Sequence, residues 1–356
     1  MGKKEILAEF DAKANVLLSL ESMTSSLLQA LVSQDGVQIH SITSRTKQRE
    51  SLVGKIGRPD KSYENLLEIT DVVGFRITTY FSEDVDNIAE LIEKEFSIDR
   101  ENSIDKRKSL EPDRFGYMSL HLVGQHKNSR LKLPEYKHFK SIKFEIQIRS
   151  ILQHAWAEIE HDIGYKSTKE VPDELKRRFS RLAGLLELAD EEFQSIKNGI
   201  EYYRSNLPEQ VNSSPDDVSL NLESLTYFVN TNDKVKALEN EMLSVFNCEE
   251  LTPAKDRNLA HNLEFLNRME IFTLGQLIDK IEEVSSFVVP FLKVWISEPR
   301  KSQSISRGIS LLYLTYINLA MQDDMIYSEY VLGAAPFDDI SSLAADIQET
   351  WSQLKI

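Results

Sequence analysis

The sequence predicts an α+β unit followed by a long helix and a mainly α-helical second part. Three observations lead there. In the first half, β-branched and aromatic segments such as DVVGFRITTYF (71–81) and FEIQIR (144–149) mix with amphipathic helical segments without a strict βαβ rhythm. Residues 172–204 carry an unbroken helical repeat of apolar side chains, and beyond residue 219 the pattern is helical almost throughout. The chain has 356 residues, about two domains at roughly 150 residues each. Its 41% hydrophobic and 28% charged residues exclude wholesale disorder, and its 13 Gly and 10 Pro exclude a collagen-like or linker-dominated chain.

Residues 3–33 read as a helix, with Ile6, Phe10, Ala14, Leu17 and Leu18 at helical spacing. Residues 37–43 alternate towards a short strand, and 50–56 form a short helix closed by Gly57 and Pro59. Residues 71–81 are a strand. Residues 84–96 form an amphipathic helix with Val85, Ile88, Leu91, Ile92 and Phe96 on one side. Two further strands, 117–123 and 143–149, flank a basic loop. Residues 151–165 form a helix expected to bury Leu152, Ala155, Trp156, Ile159 and Ile163.

From Leu175 the apolar residues Phe179, Leu182, Leu186, Ala189, Phe193, Ile196, Ile200 and Tyr203 follow alternating spacings of four and three, a heptad seam with Pro172 near its first turn. The seam could pack on a second subunit, making a homo-oligomer, or on its own domain. Ala189 and the aromatic positions favour the latter. Residues 205–219, polar with two prolines, read as a linker. The expected domains are therefore 1–204 (core about 37–170, long helix 172–204) and 220–356. Residues 263–281 resemble a helix–hairpin–helix unit around Thr273 and Gly275, although their acidic flanks favour a plain helical turn.

With 42 Lys+Arg against 57 Asp+Glu, the net charge is −15, and residues 206–356 alone hold 11 basic and 23 acidic residues. Two basic islands stand out in the first part, at 41–61 and 126–149. They are either solvated faces or, in so acidic a protein, sites for a polyanion. Opposite potentials on two parts of one chain favour docking. The acidic part is thus expected either to cover the basic cleft until a regulatory protein or ligand releases it, or to serve as a constitutive extension. The single cysteine, Cys248, excludes an internal disulfide and a Cys-built zinc site and fits a reducing compartment. The longest uncharged stretch, 308–322, is shorter than the ~18 residues of a membrane span. The first residues, MGKKEILAEFDAK, lack the apolar core of a secretory signal. A soluble, cytoplasmic protein with no membrane partner is expected.

The chemistry concentrates in four segments. Arg45 and Lys47 are two apart, hence on one face if extended, and Ser51 and Lys55 are four apart on one face of the next helix, a donor set suited to phosphate. Asp71 opens a strand and Glu145 lies on another, which suits a metal–phosphate site. A cap and a surface ion-pair partner are their plainer alternatives. Along 144–149, Phe144, Ile146 and Ile148 face one way while Glu145, Gln147 and Arg149 face the other, which implies a cleft. Tyr117 and His121, four apart, would share one strand face as a platform for a planar base. Core-edge packing and a structural histidine are the alternatives there.

Taken in order, SRTKQRESLVGK (44–55), EITDVVGFRI (68–77), DRFGYMSLH (113–121) and FEIQIRSILQHAWAEIEHDIGYK (144–166) resemble the synthetase domain of the RelA/SpoT family of alarmone synthetases. The resemblance covers about residues 37–170, and the heptad helix is similar to that of single-domain members. It implies a nucleotidyltransferase-like mixed β-sheet flanked by helices, and transfer of pyrophosphate from ATP to the 3′-hydroxyl of GDP or GTP. It further implies that Arg45, Lys47, Ser51 and Lys55 hold the ATP phosphates and that Asp71 ligates Mg²⁺. Tyr117 would stack the acceptor guanine and His121 lie by the acceptor phosphates. Glu145 would bind Mg²⁺ and deprotonate the attacking hydroxyl, with Gln147 and Arg149 in the same cleft. Asp113, Arg114 and Phe115 stand before Gly116 where many members carry a lysine. A toxin-like branch that pyrophosphorylates the 3′ end of tRNA is the alternative, favoured by the basic loop and by Arg177, Arg178 and Arg181. A catalytically silent nucleotide-binding module is the third reading, opposed by the retained Asp71 and Glu145. The His161-Asp162 pair lies inside the synthetase helix, so no alarmone hydrolase activity is expected.

Overall fold

The computed structural model describes residues 2–59, 62–109, 119–166, 172–296 and 304–354. The chain divides into two compact units, Met1–Gly199 and Ile200–Ile356. The first contains α1 (Lys3–Asp35), β1 (Ile39–Thr46), α2 (Arg49–Ile56), β2 (Val73–Thr79), α3 (Glu83–Glu95), β3 (Phe96–Asp105), α4 (Lys106–Ser109), β4 (Leu120–His126), β5 (Phe144–Ser150) and α5 (Ile151–Lys166). Helix α6 (Asp173–Ser213) runs past the boundary between the units.

The five strands form one mixed sheet in the order β1-β2-β5-β4-β3. Strands β2 and β5 are parallel, and every other pair is antiparallel. Strand alternation gives the sheet two different faces. Phe75, Ile77, Phe144, Ile146, Ile148, Leu120 and Leu122 point into the core with Ile6, Phe10, Leu17, Leu20, Leu28 and Val32 of α1 and Val85, Ile88 and Ile92 of α3. Phe144 anchors this layer, meeting Phe75 and Phe96 edge to face with centroids 5.5 Å apart. By length and composition α1 would be apolar enough to cross a membrane. Its apolar stripe is instead one wall of the sheet's core. The opposite face of β2 and β5 carries the polar residues.

Three expectations need correction here. Strand β3 was not expected: its SIDRENSID run is polar because it is an edge strand, paired only with β4. On α5, Ala155 and Ile159 are exposed and Ala157 is buried. Position 163 lies among the residues whose side chains are not described. The helix turns Glu158 towards Arg76 and Arg149 of the sheet, because those cations need a counter-charge, and His154 lies 3.7 Å from the same carboxylate. On α6 the heptad seam does not pack on the first unit, since Leu182, Phe193 and Ile196 are exposed. The inward stripe is rotated by one position, to Ala183, Asp190 and Lys197. Ser150 Oγ donates to Asp190 (2.6 Å), and Lys197 lies 3.7 Å from Asp84 and over the Phe81 ring.

The second unit holds α7 (Leu222–Thr231), α8 (Asp233–Phe246), β6 (Glu250–Thr252), α9 (Asp256–Arg268), α10 (Leu274–Trp295), β7 (Ser304–Ser306), α11 (Ile309–Gln322), α12 (Met325–Leu332) and α13 (Ile340–Ser352). The uncharged stretch at 308–322 is its central helix: every residue of α11 from Ser310 to Ala320 except Leu312 is buried, in one core cluster with Val284, Val288 and Phe291 of α10. Residues 205–219, expected as a linker, are helical to Ser213 and then form a short 3₁₀ turn, Pro215–Asp217. Composition misled there because Leu207 is a core residue despite its polar neighbours. Between α9 and α10 the turn is a plain one. Leu274 N–H donates to Val218 O, and Gln276 Oε1 accepts from the N–H groups of Phe272 and Thr273, so these donors do not face a nucleic-acid backbone. Gly275 is required: a Cβ there would overlap the Asp216 side chain and lie 3.0 Å from its Cα.

On the core face of the sheet, His126 is 1% exposed, with Nε2 3.0 Å from Thr24 Oγ1 of α1 and the rings of Phe96, Tyr136, Phe139 and Phe144 around it. Burial, with Arg130 nearby, pushes its pKa down to about 4. Between about 6.5 and that value, the unfolded chain binds a proton that the folded one does not. Urea stability of the first unit is therefore expected to fall as pH drops from 6.5 towards 4, by up to about 3 kcal/mol. A His126→Gln variant should lose this part of the pH dependence. Equal pH dependence in the two proteins would contradict the assignment.

Candidate active site

Helix α1 sets the position of the first strand. Glu21 accepts hydrogen bonds from Ser44 Oγ (3.0 Å) and Thr46 Oγ1 (2.6 Å), which leaves the alternate residues Arg45 and Lys47 for the other side. The ladder continues one step past β1, where Lys47 N–H donates to Val72 O (2.8 Å), so Lys47 arrives beside Asp71. Strand register then lines up the polar face in rows. One row runs Arg45, Gly74, Glu145, and the next runs Thr43, Arg76, Gln147, His121. A third pairs Thr78 with Arg149.

Two adjoining cavities open on this face. One of about 100 Å³ is lined by Arg45, Asp71, Gly74, Arg76, Glu145 and Gln147, among others. A larger one of about 400 Å³ is lined by Arg45, Arg76, Lys106, Gln147, Arg149, Glu158 and His161, among others. Arg45, Arg76 and Gln147 border both. The smaller cavity thus sets two carboxylates against two guanidiniums, and the larger one sets four cations against Glu158 and Glu160.

Each carboxylate has its own donor partners. Asp71 pairs with Lys47 Nζ through Oδ2 (3.1 Å) and with Lys55 Nζ through Oδ1 (2.6 Å). Burial alone would raise the Asp71 pKa, but the two ammonium groups outweigh it and hold the carboxyl below its ordinary range. Glu145 accepts from His121 Nδ1–H at 2.6 Å, while His121 Nε2 lies 2.7 Å from Ser119 Oγ. Burial raises the Glu145 pKa, and Asp71 raises it further, yet His121 and the Gln147 amide (3.3 Å) leave it lowered. Glu158 Oε1 receives Arg76 (2.9 Å) and the almost fully buried Arg149 (3.1 Å). Burial raises the Glu158 pKa and these two guanidiniums lower it below the usual value.

Of the residues expected at the site, Arg45, Lys47, Lys55, Asp71, His121, Glu145, Gln147 and Arg149 come together around these cavities. Ser51 is exposed on α2 and lines neither cavity. Tyr117 lies outside the described residues. Arg76, Lys106, Glu158 and Glu160 line these cavities and were not singled out from the sequence. The alternation that marks Glu145, Gln147 and Arg149 marks Gly74, Arg76 and Thr78 equally, so Arg76 was within reach. Among the described residues no group of three or more His, Cys, Asp and Glu converges to hold a metal. Asp71 and Glu145 nevertheless supply two hard oxygen donors to one cavity. That fits Mg²⁺, which commonly takes one or two carboxylates and completes its shell with water and substrate phosphates.

Residues 44–170 match the family described as the region found in RelA / SpoT proteins. Over 170 residues the chain is 28% identical to the GTP pyrophosphokinase YjbM of Bacillus subtilis (strain 168), covering 47% of this chain and 76% of the relative. It is 29% identical over 181 residues to the GTP pyrophosphokinase YwaC of the same organism, covering 48% and 83%. Among solved structures, the crystal structure of the small alarmone synthetase 1 from Bacillus subtilis aligns with a TM-score of 0.46 and 23% identity, over 55% of this chain and 98% of that one.

Replacing Asp71 by Asn tests the charge arrangement. Lys47 and Lys55 are only 14% and 18% exposed and would keep their charges without their carboxylate. The variant is expected to lose about 1–3 kcal/mol of stability in thermal or urea unfolding. A variant as stable as the parent, or more so, would contradict it.

Proposed function

We propose that the first unit transfers the β,γ-pyrophosphate of ATP to the 3′-hydroxyl of GDP or GTP, making guanosine tetra- or pentaphosphate. One observation carries the reading. Asp71 and Glu145 share a small cavity bordered by Arg45 and Arg76, with Lys47 and Lys55 on Asp71, inside the segment that matches RelA/SpoT proteins. The name of its two curated relatives, GTP pyrophosphokinase, supports the same reaction.

In this reading the 3′-oxygen attacks the β-phosphorus in line, a new O–P bond forms, and the bridging bond to the α-phosphate breaks to release AMP. Glu145 takes the hydroxyl proton. Its lowered pKa keeps it ionised and able to accept. His121, with one ring nitrogen on Glu145 and the other on Ser119, orients that carboxylate rather than contacting acceptor phosphates. Arg45, Lys47 and Lys55 bind the ATP phosphates, and the two lysines exchange part of their hold on Asp71 for phosphoryl oxygens. Arg76 and Arg149, held by Glu158, keep the larger cavity positive. Mg²⁺ held by Asp71 and Glu145 would supply further neutralisation of phosphoryl charge when bound. Tyr117 stacks the acceptor base.

The tRNA end is the second reading, and the basic loop supports it only in part. Lys127, Arg130 and Lys143 are tied to Lys94 O, Glu95 and Asp99, while Lys132, Lys137 and Lys140 remain exposed.

Incubation with ATP labelled in the β-phosphate, Mg²⁺ and GDP, GTP or tRNA identifies the acceptor. Label on a guanine nucleotide is expected, whereas label on tRNA alone, or none from folded protein, would overturn the proposal. Glu145→Gln is expected to lower turnover by about 10²–10⁴-fold with an unchanged circular dichroism spectrum. Tyr117→Ala should weaken acceptor use by roughly 1–3 kcal/mol and leave ATP affinity near normal. An equal loss for ATP would remove Tyr117 from its assigned role.

A further inference from the structure

A cavity of about 260 Å³ lies within the second unit, with a chemistry opposite to that of the nucleotide cleft. Phe265, Ile309, Leu312, Ala335 and Phe337 give it an apolar lining, with Asn258 and His261 adding hydrogen-bonding groups. None of its lining residues is an Asp, Glu, Lys or Arg. The Phe337 ring stacks parallel to that of the buried Phe265 (within 4°, centroids 6.3 Å apart), so one flat aromatic pair forms part of the wall.

The cavity also borders Gly308, the N-cap of α11, and a helix start ordinarily attracts anions. Here that capacity is already used. The fully buried Glu239 of α8 accepts from Gly308 N–H (2.6 Å) and Ser310 Oγ (3.0 Å) through Oε1. Asn262 Nδ2 donates to Gly308 O (3.0 Å), so the peptide groups on both sides of Gly308 are fixed from within the unit. Gly308 itself has φ +87°, and a Cβ would lie 2.7 Å from Leu259 Cδ2. The Gly308 end of the cavity is therefore held by hydrogen bonds within the unit, and the helix start there is already capped by Glu239.

We propose that this cavity binds an uncharged, flat, one- or two-ring aromatic compound with a hydrogen-bonding edge. Its volume is below the about 300–1,000 Å³ of pockets for drug-sized ligands, which suits a small ring system and not a nucleotide. The apolar walls stack on and enclose the rings, and the Asn258 amide and His261 imidazole read the polar edge. A charged ligand would leave water without a counter-charge among the lining residues, and a phosphorylated one would also meet the Glu239-capped helix end. The site thus selects against the nucleotides handled by the first unit.

The test is titration of the full chain with indole as the probe, followed by methyl NMR. Saturable ring-current shifts are expected at Ile309, Leu312 and Ala335, and indoxyl sulfate, the anionic analogue, should bind at least tenfold more weakly. Ala335→Trp fills the cavity and should lower indole affinity at least tenfold with the helical circular dichroism retained. No shift at the solubility limit of indole would overturn the proposal. So would shifts centred elsewhere, equal binding of indoxyl sulfate, or undiminished binding by folded Ala335→Trp. Should that variant fail to fold, the methyl map of the parent protein decides by itself.

Discussion

Two carboxylates share a small, partly dry cavity only where each is held by donors of its own, and the first unit is arranged around that constraint. Asp71 and Glu145 border one space of about 100 Å³, and burial opposes the ionisation of both. Two lysines answer the first and a histidine the second, and their sources differ. Lys47 follows β1, Lys55 ends α2, and His121 lies on β4. The order β1-β2-β5-β4 puts β1 and β4 on either side of the parallel pair β2 and β5, where Glu145 lies on β5 and Asp71 just precedes β2. Glu158 extends the same pattern outward, where α5 supplies one carboxylate to two strand arginines. Binding of phosphate would then substitute one set of oxygens for another around cations already in place, with little new charge to desolvate.

Much of this was legible because strand alternation is a local property. In 144–149 the two faces can be read residue by residue, and the structure places Phe144, Ile146 and Ile148 in the core with Glu145 and Gln147 on the cleft. The same holds for the position of Arg45 and Lys47. What escaped depends on partners distant in sequence. Strand β3 is polar because an edge strand needs only one neighbour. On α5 the pairing of Glu158 with the strand arginines sets which side faces the sheet, and both Glu158 and the apolar Ile159 stay exposed. On α6 a regular apolar seam lost to a stripe one position away, because Ser150 and Asp84 offer Asp190 and Lys197 specific partners. The extra turns at 205–213 follow from Leu207, a single buried side chain in a segment whose composition reads as a connection.

The second unit shows a different economy. Its uncharged stretch at 308–322 is buried on nearly all sides, which an uncharged helix tolerates in a core as readily as in a bilayer. The one carboxylate brought to its start, Glu239, is anchored by hydrogen bonds from Gly308 and Ser310, and Arg307 lies at 3.9 Å. Burial nevertheless raises its pKa above the ordinary value. The acidic character of residues 206–356 therefore belongs chiefly to the surface, while the interior next to α11 offers an uncharged cavity.

The most direct test of a nucleotide cleft on the polar face of β2 and β5 is the affinity of a non-hydrolysable ATP analogue for the parent protein and for Arg76→Ala, measured by calorimetry in Mg²⁺. Arg76 borders both cavities and was not singled out by the sequence. Loss of its guanidinium, a charge-assisted donor worth roughly 1.5–3 kcal/mol, should weaken binding about tenfold or more. Unchanged affinity in a folded Arg76→Ala protein would place the nucleotide elsewhere.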